Sequence, residues 1–275
     1  MNILTVDVEE WFHVCGAHDA LHPRHWPELP SRVVPTTRRL LEMLDKASVR
    51  AAFFVVGWIA ERYPALVGEI VAAGHEVGSH SYWHRRVYEL SPGEFAHDLA
   101  SSVHALEAAG APRPLAYRAP EWSINDRAPW ALEELVRQGF EVDASMAPLK
   151  IVGRVTYPRH PHVLLTTAGR LVEVPPFVAD RFGHVMPLGW GWGLRMSSPR
   201  RVLTSMARAN DHGTPAVLTV HPWELDPDPP RVSLRPRQHF AHYFRLRGFE
   251  SRLKRIVSEA PFSTLSATAK CVRAH

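Results

Sequence analysis

Short β-rich runs alternate with helical stretches along most of this chain, and that alternation limits the fold more than any other feature. Residues 3–8, 51–56, 76–79, 115–118, 140–143, 171–174 and 216–220 read as strands. Residues 36–47, 65–73, 92–109, 129–138 and 199–210 read as helices between them. Parallel strands need a crossover connection, so this order implies βαβ units and a mainly parallel sheet. About seven such units are enough to close, or nearly close, a barrel. The stretch Ser91-Pro92-Gly93-Glu94 has the spacing of a capping box with Pro at the first helical position, and Ser198-Pro199 offers a similar start. Gly74, Gly110, Gly139 and Gly213 follow helical runs, where a C-terminal cap is expected.

Composition excludes several alternatives. With 275 residues, 45% hydrophobic and 22% charged, the chain can bury a sizeable core. A net charge of +4 is too mild to argue for nucleic acid, and the basic stretch 245–255 reads as a helix with a solvated face. Cys15 and Cys271 form no disulfide framework and fit a reducing compartment. The longest apolar run, 51–60, is far short of the roughly 18 residues of a membrane span. The N-terminus opens directly on a strand-like run, so no secretion signal is expected, and residence is expected to be cytoplasmic or peripheral at the inner membrane face.

In a parallel barrel, functional groups gather where strands end. Polar residues do collect there: Asp7 and Glu9, His80, Arg118, Asp143 and His221. His80 and His84 are four apart, a spacing that places both imidazoles on one face of a helical turn, where they could share an ion. Among 17 His, such a pair also arises by chance. Asp7 and Glu9, two apart on a strand, share one face; one could bind a metal while the other takes a proton.

The segments Thr5-Val6-Asp7-Val8-Glu9, His80-Ser81-Tyr82-Trp83-His84, Arg118-Ala119-Pro120-Glu121-Trp122, Asp143-Ala144-Ser145 and Leu218-Thr219-Val220-His221 resemble, in this order, the motifs of the polysaccharide deacetylases. Residues 7–12, 117–124 and 221–227 further resemble the subgroup associated with exopolysaccharide export and exosortase loci. The resemblance implies an α/β fold: a distorted (β/α) barrel of about seven parallel strands with a C-terminal helical extension. Its domains would be a catalytic barrel over 1–224 and an extension over 225–275 packed on it.

It also implies a site. Asp7 would be the catalytic base and Glu9, His80 and His84 the ligands of a divalent metal, most readily zinc. Many relatives have two adjacent Asp in the first motif; here Val8 separates Asp7 from Glu9, so the reverse assignment of these two stays open. Arg118 would pair with the base, His221 would be the catalytic acid, and Asp143 would orient or tune it. A backbone N–H near Trp122 would assist the metal in holding the oxyanion. Trp122, Trp223, Trp190 and Trp192 are candidate sugar platforms, whereas Trp11 and Trp83 read as packing residues beside the ligands. His18, His22, His25, His160 and His162 match no motif and read as structural or solvated.

The implied activity is metal-dependent removal of N-acetyl groups from an exopolysaccharide or its lipid-linked precursor. The implied partners are that N-acetylated carbohydrate and membrane-associated polysaccharide assembly machinery, with no nucleic acid. Two rivals remain: a small-molecule amidohydrolase on the same scaffold, and a catalytically silent carbohydrate-binding protein. The second predicts a missing base, ligand or acid, and none is missing from the sequence.

Overall fold

The computed structural model describes residues 1–17, 21–181 and 183–274; His18 falls outside them. The elements run β1 (Asn2–Val8), α1 (Val33–Lys46), β2 (Ala52–Val55), α2 (Gly57–Arg62), α3 (Pro64–Ala72), β3 (Glu76–Ser79), α4 (Pro92–Ala108), β4 (Ala116–Tyr117), α5 (Ala131–Arg137) and β5 (Val142–Asp143). They continue with β6 (His162–Thr166), β7 (Gly169–Glu173), β8 (Ala179–Arg181), β9 (His184–Met186), α6 (Gly191–Met196), α7 (Pro199–Asp211) and β10 (Val217–Val220). The last elements are α8 (Pro236–Tyr243), α9 (Phe249–Glu259), β11 (Phe262–Ser263) and α10 (Leu265–Ala274).

The seven expected strands are β1 to β5, β7 and β10. They form one curled sheet in the order β10-β1-β2-β3-β4-β5-β7, parallel throughout, with β6 added antiparallel at the β7 edge. The edges approach through backbone bonds: Phe177 N–H donates to Val217 O at 3.0 Å, and Thr219 N–H to Gly189 O at 2.8 Å. Gly189 is required there, because a Cβ would lie 2.7 Å from Val217 O. β1 is buried along its whole length, as an apolar, β-branched strand inside a parallel sheet should be.

Two layers of core hold this wall. Outside it, Leu4, Val6, Phe53 and Val55 pack against Leu40 and Leu44 of α1, Ile70 of α3 and Leu253 and Ile256 of α9. Inside it, Ile3, Phe54, Val142, Val172 and Val217 pack against Leu265 and Ala269, so α10 plugs the N-terminal end of the barrel. Glu76 fixes that plug by accepting from the backbone N–H groups of Leu265 and Ser266 at 2.9 and 3.1 Å, a capping contact of about 1 kcal/mol. The extension is therefore not wholly helical: β11 pairs in parallel with β1 at Asn2 and Ile3.

Local signals were realised as expected. Ser91 and Glu94 make a reciprocal capping box on α4, Ser198 caps α7, and Gly74, Gly110, Gly139 and Gly213 have positive φ. The region after Asp143 is more ordered than its sequence suggests, with the β6–β7 and β8–β9 hairpins and α6. Among the described residues no helix is long and apolar enough to cross a membrane.

Candidate metal centre and active site

Asp7 and Glu9 emerge from the C-terminal end of β1, His80 and His84 follow β3, Arg118 follows β4, and His221 follows β10. The two histidines do not share a helical turn. Residues 80–84 form a loop in which Ser81 and His84 have φ of 67° and 51°. The buried carboxylate of Asp98, on α4, organises it: Ser81 Oγ, Tyr82 N–H at 2.8 Å and Trp83 N–H at 3.1 Å all donate to Asp98. The spacing of four is met by this bent loop, which aims both rings at Glu9.

His80 Nδ1 lies 2.8 Å from the Arg118 carbonyl. A carbonyl only accepts, so Nδ1 carries the proton and Nε2 presents its lone pair. Glu9 Oε2 is 2.6 Å from His84 Nε2 and 3.8 Å from His80 Nε2. Ligand atoms of Glu9, His80 and His84 lie within 4.8 Å of one another, and all three residues are buried. One carboxylate and two imidazoles suit a divalent ion, which would take the place of the proton that His84 Nε2 shares with Glu9. Trp223 Nε1 donates to the other carboxylate oxygen at 2.9 Å. Burial alone would push the Glu9 carboxyl up, but the charges of His84 and His221 and the hydrogen bond from His84 hold it well below its ordinary value. Cys15 Sγ sits 3.6 Å from His84 Nδ1 and 3.2 Å from its carbonyl oxygen.

Asp7 stands beside this set but outside it. Its Oδ1 accepts from Arg118 Nη1 at 2.7 Å. The same guanidinium donates to Thr5 Oγ1 and Ala144 O and lies 4.4 Å over the Phe54 ring. His221 Nε2 is 3.8 Å from both Asp7 Oδ2 and Glu9 Oε1. Burial opposes a charge on His221, yet Glu9, Glu224 and Asp7 outweigh it and lift the ring to about 9.

The carboxylate on His221 Nδ1 is Glu224, at 3.0 Å, rather than Asp143. Asp143 instead accepts from Ser145 Oγ and bonds with Glu173, its register partner across β5 and β7. Burial raises both carboxyls of that pair, Asp143 to about 6 and Glu173 well above its ordinary value, so the pair holds a proton. Glu224 is fully buried, and its other oxygen faces Arg195 Nε at 2.9 Å. Glu224 is three residues from His221 in the turn begun by Pro222, a proximity signal the sequence did carry. Nothing local marked Arg195, which arrives from α6 across the sheet gap.

The cleft above these groups holds about 170 Å³. Trp122 lines it, backed by Trp190 at 4.8 Å between ring centroids. Trp223 also lines it, with its ring bonded to Glu9 and stacked between His221 and His242. Trp192 packs on Phe240 and does not line the cleft. Trp11 is buried, as expected of a packing residue, but Trp83 is 41% exposed. The Trp122 N–H donates to Ala119 O and the Ser123 N–H to Pro120 O, so neither is free for an oxyanion. His13, Gln238 and His242 also line the cleft, and the sequence reading assigned them no role there. Burial holds the His242 ring down at about 4, so it is neutral near pH 7.

Residues 28–140 match the polysaccharide deacetylase family profile. A Bacillus cereus peptidoglycan-N-acetylglucosamine deacetylase is 28% identical over 99 residues, 36% of this chain and 36% of that protein. Over residues 28–140 the chain is related to the polysaccharide deacetylases. A second relative, a Bacillus subtilis peptidoglycan-N-acetylmuramic acid deacetylase, is 33% identical over 91 residues, 33% of this chain and 20% of that protein. The matches thus span about a third or less of these relatives. The fold is shared with a Mycobacterium smegmatis chain assigned as a polysaccharide deacetylase: TM-score 0.65 at 23% identity, covering 99% of this chain and 91% of that one. Residues 144–270 match a domain of unknown function, DUF3473. The cleft is therefore composite: His80, His84 and Arg118 lie in the first matched region, and Arg195, His221, Glu224 and α8 in the second.

Proposed function

We propose that the protein is a metal-dependent deacetylase that removes N-acetyl groups from sugar residues of a polysaccharide. The observation that carries this reading is the convergence of Glu9, His80 and His84 within 4.8 Å, flanked by Asp7 and His221. The names of the relatives support an acetamido sugar as the reacting unit. The resemblance of residues 7–12, 117–124 and 221–227 to the exopolysaccharide subgroup supports an exopolysaccharide or its lipid-linked precursor as substrate, and zinc as the ion.

A divalent ion held by Glu9, His80 and His84 would supply Lewis acidity to the acetyl carbonyl and acidify the attacking water. Asp7, positioned by Arg118, takes the proton from that water. His221, kept protonated by its carboxylate neighbours, gives a proton to the departing amine nitrogen. Glu224 holds the His221 ring by Nδ1, leaving Nε2 toward the cleft. Acetate and the free amino sugar result.

The test is acetate release from N-acetylglucosamine oligomers by protein stripped of metal and then reconstituted with zinc. Release that follows zinc loading and disappears in His84→Ala supports the reading. Turnover indifferent to metal, or unchanged in His84→Ala, would overturn it.

A further inference from the structure

The cleft has a second wall, made by α8, and that wall carries polar atoms that no protein group satisfies. Gln238 Nε2 donates to the Cys15 carbonyl at 3.0 Å. Because a carbonyl only accepts, this bond fixes which end of the amide is which. The Gln238 side-chain oxygen is left buried and unpartnered. Four residues on, His242 is 6% exposed, and its Nε2 is also buried without a partner. Residues at i and i+4 share a helix face, and both of these line the cleft. In the other wall, Trp122 Nε1 is another such atom. Buried polar atoms are rarely left unpaired, so these three, with His13 Nε2 a fourth on the same cleft, point to a partner from outside the chain.

We propose that α8 is the hydroxyl-recognising wall of the substrate cleft. Gln238 Oε1 accepts from a ring hydroxyl of the sugar whose acetamide meets Glu9, His80 and His84. His242 Nε2 exchanges a hydrogen bond with a second hydroxyl, and Trp122 Nε1 donates to a sugar oxygen. The wall is set firmly: Arg195 donates to the carbonyls of Ala241, His242 at 3.1 Å and Phe244 at 2.7 Å. The same guanidinium faces Glu224, so the wall and the His221 ring share one anchor. This inference rests on the deacetylase reading and deepens it, because it gives part of the DUF3473 region the task of choosing the substrate. An acetylated molecule without ring hydroxyls would leave these atoms unpaired, and such sites discriminate strongly against analogues lacking the bonding group.

The test uses Gln238→Leu and His242→Phe in the zinc-loaded full chain. His242→Phe keeps a ring to stack on Trp223, at 4.3 Å in the native protein, and removes the nitrogen. The readouts are calorimetric binding of an N-acetylglucosamine trisaccharide, KM and kcat for acetate release from it, and kcat/KM for 4-nitrophenyl acetate. In each variant the trisaccharide Kd and KM should rise about tenfold with kcat changed less than about twofold, as expected for a lost hydrogen bond to substrate. The preference for trisaccharide over ester should fall about tenfold. Unshifted Kd and KM in variants with native melting temperature and zinc content would overturn the wall. If Gln238→Leu does not fold, His242→Phe alone decides. Wild-type binding without acetate release, with Kd raised in the variants, would sink the deacetylase reading and leave the wall standing. Release with unshifted KM in the variants would do the reverse, and a wild type that neither binds nor releases would end both.

Discussion

Glu224 bridges His221 and Arg195: one oxygen lies 3.0 Å from the imidazole Nδ1, the other 2.9 Å from the guanidinium Nε. All three side chains lie inside the protein, so the imidazole is oriented by a carboxylate that is itself held by charge. Glu224→Gln keeps the shape and removes the charge. It should lower kcat by about 10- to 100-fold, a large part of what a positioned acid contributes, with KM little changed. Steady-state kinetics on N-acetylated oligosaccharide decides; a purely structural Glu224 would leave kcat near the wild-type value in folded protein.

The two carboxylates after β1 should separate cleanly. Glu9→Gln should lose zinc, measured by elemental analysis after dialysis, because its Oε2 is the oxygen that faces both ligand histidines. Asp7→Asn should retain zinc and lose roughly 10²–10⁴-fold in kcat. Zinc loss in Asp7→Asn with retention in Glu9→Gln would exchange their roles.

His75, at the opposite end of the barrel, predicts an acid-sensitive fold. Its Nδ1 accepts from Ala51 N–H at 3.1 Å, and burial, aided by the Arg50 charge, holds the ring down at about 4 instead of 6.5. The unfolded chain therefore binds the extra proton first as pH falls. The contribution is complete above pH 6.5 and is lost toward pH 4, roughly 1–2 kcal/mol once solvent screening is allowed for. Urea midpoints between pH 7 and 4 should fall less steeply in His75→Gln than in wild type.

Glu173 predicts the opposite slope. Burial and the neighbouring Asp143 carboxylate hold its pKa well above 4.5, so folding favours its protonated form. Its contribution is present below pH 4.5 and declines as pH rises. Glu173→Gln mimics the neutral acid and keeps an acceptor for Met146 N–H. The variant should match wild type near pH 5 and exceed it at pH 8–9 in thermal melts; equal curves at both ends would refute the shared proton.

The wall of the barrel was legible in the sequence because each strand is a short apolar run bounded by helix caps such as Ser91 and Gly110. The same pattern placed the reactive side chains, since strand ends define one rim. The local route was not legible: His80 and His84 suggested a helical turn, and the left-handed Ser81 and His84 are stabilised by Asp98, which lies well along the chain. Asp143 was misplaced relative to His221 because motif order carries no distances, whereas Glu224, three residues away, reaches the ring without crossing the barrel. Arg195 and α8 were out of reach for a further reason. Their roles depend on packing between distant segments, and a fully buried arginine has no periodic signature.

The placing of β1 has a consequence for how the protein comes to be. β1 leaves the ribosome far ahead of β10, yet the two lie side by side, with Thr5 Oγ1 2.9 Å from Thr219 Oγ1 across a sequence separation of 214. β11, later still, completes the start of β1. Such distant pairing is slow to form, and while it waits an apolar strand has an open edge. During synthesis Asp7 and Glu9 stand on a strand that lacks one neighbour. The chemistry at their end of the barrel is assembled only when the closing segments arrive.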